Sequence, residues 1–145
     1  MAELAEQHII APYDSAWYRK GCDLRRQVFM QEQGVSLEDE FDGRDPNATH
    51  MVSVQDGNVV GVLRILWLPE HAKIGRFAVA QSRRNEGIGS RLLQTALGFI
   101  ERQGQERIML EAQIDRINFY EHFGFEAYGE EYLDAGILHR AMKNY

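Results

Sequence analysis

The segment from Lys73 to Leu93, KIGRFAVAQSRRNEGIGSRLL, constrains the fold of this chain more than any other stretch. An apolar run containing Ile74, Phe77 and Val79 breaks at Gln81 into a polar, basic turn. Gly87 and Gly89 then open a helical pattern with Ile88, Leu92 and Ala96 on one face. A strand feeding a glycine-bearing helix start presents unpaired backbone N–H groups and the positive end of a helix dipole. Such a corner binds anions, phosphate and pyrophosphate above all. At Gly89 a side chain would hold a ligand away from the backbone, and Arg84 adds a charge-assisted donor.

Two familiar phosphate fingerprints do not fit. The dinucleotide pattern GxGxxG requires a third glycine where this chain has Leu92, and the P-loop requires Lys-Ser or Lys-Thr where it has Ser90-Arg91. A glycine-rich turn that binds nothing remains the simple alternative at this point.

At 145 residues the chain is the size of one domain, and residues 1–145 are expected to form a single one. Its 44% hydrophobic and 26% charged residues describe an ordinary globular protein. No apolar stretch approaches the roughly 20 residues needed to cross a bilayer, and MAELAEQHII lacks the features of a signal peptide. Cys22 is the sole cysteine, so no intrachain disulfide and no cysteine-based metal site is expected. Cytoplasmic residence and the absence of a metal or membrane partner are the corresponding expectations. The net charge of −6 argues against a nucleic-acid footprint. Acidic residues concentrate in GVSLEDEFDGRD, residues 34–45. That run reads either as a solvated loop or as a field attracting a cationic partner.

The periodicity predicts a short strand over Gln7–Ala11 and a helix capped by Asp14 or Ser15 that runs to about Gln31. A long acidic loop follows. HMVSVQ and NVVGVLRILWL form a hairpin across Asp56-Gly57. Next come a strand at Lys73–Ala80, a helix from Gly87 to about Gln103 and an alternating strand, RIMLEAQ. Asp115 caps a short helix, INFYEHF, and two strands, Phe125–Tyr128 and Gly136–Met142, complete the chain. The order β, α, antiparallel meander, α, β, α, β, β describes an α+β layer architecture around one mixed sheet. Ile65, Leu66, Trp67 and Leu68 are either core or the face of a homodimer.

A phosphate site alone names no reaction. The second constellation is LEAQIDRINFYEHFGF, residues 110–125, with Tyr120 in its short helix and Phe119, Phe123 and Phe125 beside it. Aromatic residues at such spacing ordinarily build core. Together, however, the two segments resemble the GNAT superfamily of acetyl-CoA-dependent N-acetyltransferases. Its glycine signature is matched by Arg84-Asn85-Glu86-Gly87-Ile88-Gly89, and its later signature by Phe119-Tyr120 and Gly124-Phe125. The layout is most similar to the ElaA-like bacterial branch, through Leu24-Arg25, Val28-Phe29, Glu32-Gln33, His50, Arg64-Ile65, Ile74-Gly75-Arg76, Ala112-Gln113 and Gly136-Ile137 with His139.

The resemblance implies a largely antiparallel mixed sheet, flanked by helices and splayed between its fourth and fifth strands, with a thioester in the gap. It implies that backbone from Asn85 through Glu86, Gly87, Ile88 and Gly89 to Ser90 grips the pyrophosphate of acetyl-CoA, aided by Arg84. The pantetheine arm would lie along Phe77, Ala78 and Val79, with Phe119 and Tyr120 near the sulfur. A free N–H near Phe77 or Val79 would polarise the acetyl carbonyl. Tyr120 would protonate the leaving thiolate as general acid, a modest service because a thiol of pKa about 8.5 leaves readily.

The matching position for a glutamate base is Lys73, so Glu111, on the strand lining the gap, is the substitute base. Its alternative is a salt-bridged carboxylate, and His50 and His139 are weaker candidates. Arg25, Glu32, His50, Arg64 and Gln113 are expected around the acceptor. Carboxylates at Glu38, Glu40, Asp42 and Asp45 suit an amine-bearing acceptor, whereas the arginines suit a carboxylate on it. The competing functions are a non-catalytic CoA-binding or sensing module of the same fold, and a domain using the loop for another nucleotide.

Overall fold

A computed structural model describes residues 5–145. The first strand, β1 (Glu6–Ile10), leads to α1 (Ala16–Arg25), which Ser15 caps by accepting the Tyr18 N–H at 3.2 Å. The helix does not end as an ordinary one at Gln31. It widens into a π segment over Arg26–Glu32, where the Gln33 N–H donates to the Val28 carbonyl five residues back. Beyond it lie α2 (Leu37–Glu40), β2 (Thr49–Gln55), β3 (Asn58–Trp67) and β4 (Ala72–Val79). The chain then runs through α3 (Ile88–Arg102), β5 (Ile108–Gln113), α4 (Ile117–Glu121), β6 (Glu126–Asp134) and β7 (Ile137–Lys143).

Among the described residues the strands form one seven-stranded sheet in the order β1-β2-β3-β4-β5-β7-β6. Every neighbouring pair is antiparallel except β4 and β5, which α3 connects as a parallel crossover. The β2–β3 hairpin turns at Asp56 (φ 51°) and Gly57 (φ 76°), the two left-handed residues that a tight primed turn requires.

The two faces of the sheet are covered differently. Leu92, Leu93, Ala96 and Ile100 on one stripe of α3 are fully buried against Leu63, Ile65, Ile74 and Leu110. On the other face Leu24 and Val28 pack on Val52, Val54, Val62 and Ala78. Gly21 permits that close approach, since a Cβ there would stand 3.3 Å from Val52 Cγ1. On this second face α1 packs chiefly on β2, β3 and β4, and the β5–β7–β6 half lies beyond its main contacts.

Several sequence expectations are corrected. The acidic run is a solvated loop only in part: Glu38, Asp39 and Asp42 are exposed, but Ser36 caps α2, and Glu40 and Asp45 are buried at 2% and 6% exposure. Asp115 does not cap α4; a 3-10 turn over Ile114–Arg116 precedes it and Arg116 occupies the cap position. The strand expected to stop at Tyr128 continues to Asp134 past an irregularity at Gly129 (φ 72°). Ile65 and Leu66 belong to the core, Leu68 is half-buried, and only Trp67 of the four is exposed, its Nε1 donating to Thr49 Oγ1 at 2.9 Å.

Candidate active site

β4 and β5 pair at Ala72 with Ile108, Lys73 with Met109 and Ile74 with Leu110, and there the pairing ends. Both strands continue, β4 to Val79 and β5 to Gln113, without a ladder between them. The parting coincides with a bulge, where Arg76 and Phe77 together oppose Leu63 and Arg76 takes a left-handed φ of 48°. Past the bulge, the Ala80 N–H donates to the Val60 carbonyl, which makes those two the hydrogen-bonded pair of the ladder. By alternation the backbone of Val79 points away from β3, into the gap, as does that of Phe77 two residues earlier. The Val79 carbonyl is met there by Arg84 Nε at 3.1 Å.

The gap opens into a cleft of about 790 Å³. One end is the loop before α3, with left-handed residues at Asn85 (φ 66°) and Gly87 (φ 83°). No side chain caps α3, so the N–H groups of its first turn face the cleft unclaimed by a cap. Gly87, Gly89 and Ser90 line this end, whereas the Ile88 side chain is buried beneath it and only its backbone is presented. Arginines surround the loop. Arg83 donates to Glu86 and to Gln55 Oε1, and Arg91 meets Glu6 Oε1 and Oε2 at 2.8 and 2.5 Å. Arg84 forms a two-pronged pair with Glu32.

Tyr120 projects from α4 into an aromatic group, its ring 5.2 Å from Phe119, 6.3 Å from Phe77 and 6.4 Å from Phe125. It lines the same cleft, and its hydroxyl makes no hydrogen bond among the described residues. Burial raises its pKa, outweighing the opposite pull of Arg116, so the phenol keeps its proton well above neutrality.

Glu111 and Gln113 lie on the opposite face of β5 from Leu110 and Ala112, and both line the cleft. Both Glu111 carboxylate oxygens are engaged, Oε1 by Lys73 Nζ at 2.5 Å and Oε2 by the Tyr132 hydroxyl at 2.7 Å. Burial pushes its pKa up, but those two hydrogen bonds outweigh burial and the net shift is downward. This is the salt-bridged alternative of the sequence reading, and a carboxylate with a lowered pKa is a weak proton acceptor. Gln113 Nε2 donates to Gln33 Oε1 at 3.0 Å, bridging from β5 to the residue after the π segment.

Three expected acceptor-binding residues are instead parts of a buried ion cluster. Arg25, 1% exposed, donates Nε to Glu40 Oε2 at 2.6 Å and Nη1 to Asp45 Oδ2 at 2.7 Å. Arg64 donates to both oxygens of Asp42 and to Asp45 Oδ1. His50 Nε2 lies 2.9 Å from the Asp45 carbonyl, and burial lowers its pKa, which keeps it neutral. Arg76 completes the cluster by donating to the Asp39 and Glu40 carbonyls. Three arginines thus face Glu40, Asp42 and Asp45, so the acidic run projects little uncompensated charge. Arg25 and His50 do not reach the cleft, whereas Arg64 touches its wall. Glu38 is left exposed on α2.

Sequence reasoning missed Tyr132 and Arg76 as site residues. Tyr132 reaches Glu111 only because β7 lies between β5 and β6, a pairing without a local signature. Arg76 is revealed by its bulge, and a positive φ at an arginine leaves no mark in sequence. Among the described residues no His, Cys, Asp and Glu group suited to a metal occurs, and no helix is long and apolar enough to cross a membrane.

Known proteins share this fold. A family model described as an acetyltransferase (GNAT) domain matches residues 13–145. The N-acetyltransferase YjcF of Bacillus subtilis, itself uncharacterized, is 31% identical over 120 residues, covering 82% of this chain and 86% of that protein. Crystal structures of Escherichia coli ElaA and of an acyl-CoA N-acyltransferase from Pseudomonas aeruginosa each superpose with a TM-score of 0.85 at 27% identity, over 99% of this chain and 100% of theirs. The chain belongs to the GNAT acetyltransferase family, whose general activity is acyl transfer from acyl-CoA.

Proposed function

We propose that the protein transfers an acetyl group from acetyl-CoA to a primary amine by direct attack in a ternary complex, with Tyr120 as general acid. The observation that carries this reading is the parting of β4 from β5 after Ile74 and Leu110, with Tyr120 lining the resulting cleft. The first-turn N–H groups of α3, from Gly87 to Ser90, hold the pyrophosphate, and the backbone of Phe77 and Val79 takes the pantetheine amides as an added strand would. Phe77 and Phe119 enclose the thioester and exclude water. A gap-facing N–H of β4 stabilises the oxyanion as the amine adds to the carbonyl carbon. Tyr120, kept protonated by burial, gives its proton to the departing sulfur.

Thermal shift and thiol-release assays test the reading. Acetyl-CoA at a hundredfold excess over its Kd stabilises a fold by about 2.7 kcal/mol, a shift of several degrees. Thiol release should follow with at least one amine of a panel containing glycinamide, tyramine, spermidine, Nα-acetyl-lysine and a dipeptide. Tyr120→Phe should lower kcat roughly 10- to 100-fold with acetyl-CoA affinity nearly unchanged. Stabilisation without thiol release from any amine points to a CoA-binding module instead, and stabilisation by ATP or NAD but not acetyl-CoA to a nucleotide-binding domain.

A further inference from the structure

We infer that His139 of β7, not Glu111, accepts the proton from the acceptor nitrogen; this rests on the transferase reading above. His139 stands opposite Gln113 on β5 and opposite Tyr132 on β6, which puts its side chain on the face that carries Glu111 and Gln113. That half of the sheet lies beyond the main contacts of α1, and His139 lines the same cleft as Tyr120. Tyr120 approaches from the other face, where it packs against the α3-side core. The gap between β4 and β5 is where the two faces meet, so acid and base reach a thioester there from opposite sides.

The hydrogen bonding fixes the tautomer. His139 Nδ1 lies 2.7 Å from the Ile137 carbonyl oxygen. A carbonyl only accepts, so Nδ1 carries the proton, and in the neutral ring Nε2 holds a lone pair. Among the described residues Nε2 has no hydrogen-bond partner. The ring stacks on Tyr132 at 6.1 Å and 23°, which fixes its plane.

The rival bases are already committed. Both oxygens of Glu111 are held by Lys73 and Tyr132, and His50 is buried against the Asp45 carbonyl. The ionisable groups around His139 are Tyr132 on β6, Glu111 on β5 with Lys73 behind it, and Asp134 at the β6–β7 turn, which also lines the cleft.

The step balances. The nitrogen lone pair of the neutral amine forms the C–N bond while His139 Nε2 takes one N–H proton. The tetrahedral oxyanion collapses, the C–S bond breaks, and the thiolate takes the Tyr120 proton. The imidazolium proton returns through solvent to the Tyr120 phenolate. Amine and thioester become amide and thiol, and both side chains are restored.

The test uses the full chain, acetyl-CoA and whichever panel amine the wild-type protein acetylates fastest. His139→Ala should lose roughly 100-fold or more in kcat at pH 7, with the KM for acetyl-CoA within about twofold of wild type. Added imidazole should restore part of the rate in proportion to its free-base form. A purely structural histidine would show no such rescue. His139→Gln keeps the polarity and serves if the alanine variant does not fold; it should be equally slow and equally open to rescue by imidazole. Wild-type turnover with His139 variants of unchanged kcat overturns the assignment and leaves the transferase reading standing. A wild-type protein that releases no thiol with any amine overturns both.

Discussion

Glu32 and Arg84 meet in two hydrogen bonds of 2.9 and 3.0 Å, joining the last residue of the π segment to the loop that opens α3. The third nitrogen of Arg84, Nε, donates to the Val79 carbonyl. Three of the five N–H donors of that guanidinium are thereby engaged, and Glu32 competes with a pyrophosphate for its charge. The side chains are 30% and 27% exposed, so the pair is worth no more than about 1 kcal/mol. Glu32→Gln should therefore tighten acetyl-CoA binding by up to about fivefold, read by calorimetry at low salt. Weaker binding would show that Glu32 orients Arg84 for the phosphate instead of competing with it.

The two glycines of the loop should separate into a structural one and a binding one. Gly87 sits at φ 83°, and a Cβ there would lie 2.6 Å from Arg91 Nη1. Gly87→Ala should cost about 1–2 kcal/mol in stability, from the left-handed backbone and the displaced Arg91. At Gly89 a Cβ would meet only Val79 and Phe77 at 3.4 and 3.5 Å, ordinary contact distances. Gly89→Ala should leave the unfolding midpoint nearly unchanged and raise the Kd for acetyl-CoA about tenfold, because the methyl stands between the loop and β4. Equal loss of stability in both variants would contradict this division.

What the sequence made legible follows from locality. The helix-start glycines, the Asp56-Gly57 turn, the stripe of Leu92, Ala96 and Ile100, and the alternation through Glu111 and Gln113 are all patterns within a few residues. Asp45 and Arg64 are nineteen residues apart and join only after β2 and β3 fold back, so Arg25 and Arg64 read as acceptor ligands although one is buried in the ion cluster and the other is committed to it. The alternation of RIMLEAQ suffices to put Glu111 on β5. Its saturation by Lys73 and Tyr132 depended on strand order, which periodicity does not encode.

The ion cluster gives the fold a defined acid sensitivity. Asp45 accepts from the Tyr18 hydroxyl at 2.5 Å, from Arg25 at 2.7 Å and from Arg64 at 3.1 Å. Burial pushes the pKa values of Asp45 and Asp42 up, but these hydrogen bonds and charges outweigh it and both are lowered. A carboxyl whose folded pKa lies below its unfolded value of about 3.9 stabilises fully above that value, and the contribution is lost as pH falls toward the folded pKa. Glu40 works the other way, because burial raises its pKa against Arg76 and Arg25, so its protonation offsets part of the loss. The unfolding midpoint should be nearly flat from pH 7 to pH 5 and fall below about pH 4. Asp45→Asn leaves Arg25 and Arg64 short of a charged partner in a buried setting, and should cost about 3–5 kcal/mol at pH 7. The same variant should make the acid slope shallower, since one of the two lowered carboxyls is gone while Asp42 remains. Calorimetric scans of both proteins from pH 7 to pH 3 check this, and an Asp45→Asn protein with the wild-type slope would assign the acid sensitivity to other carboxylates.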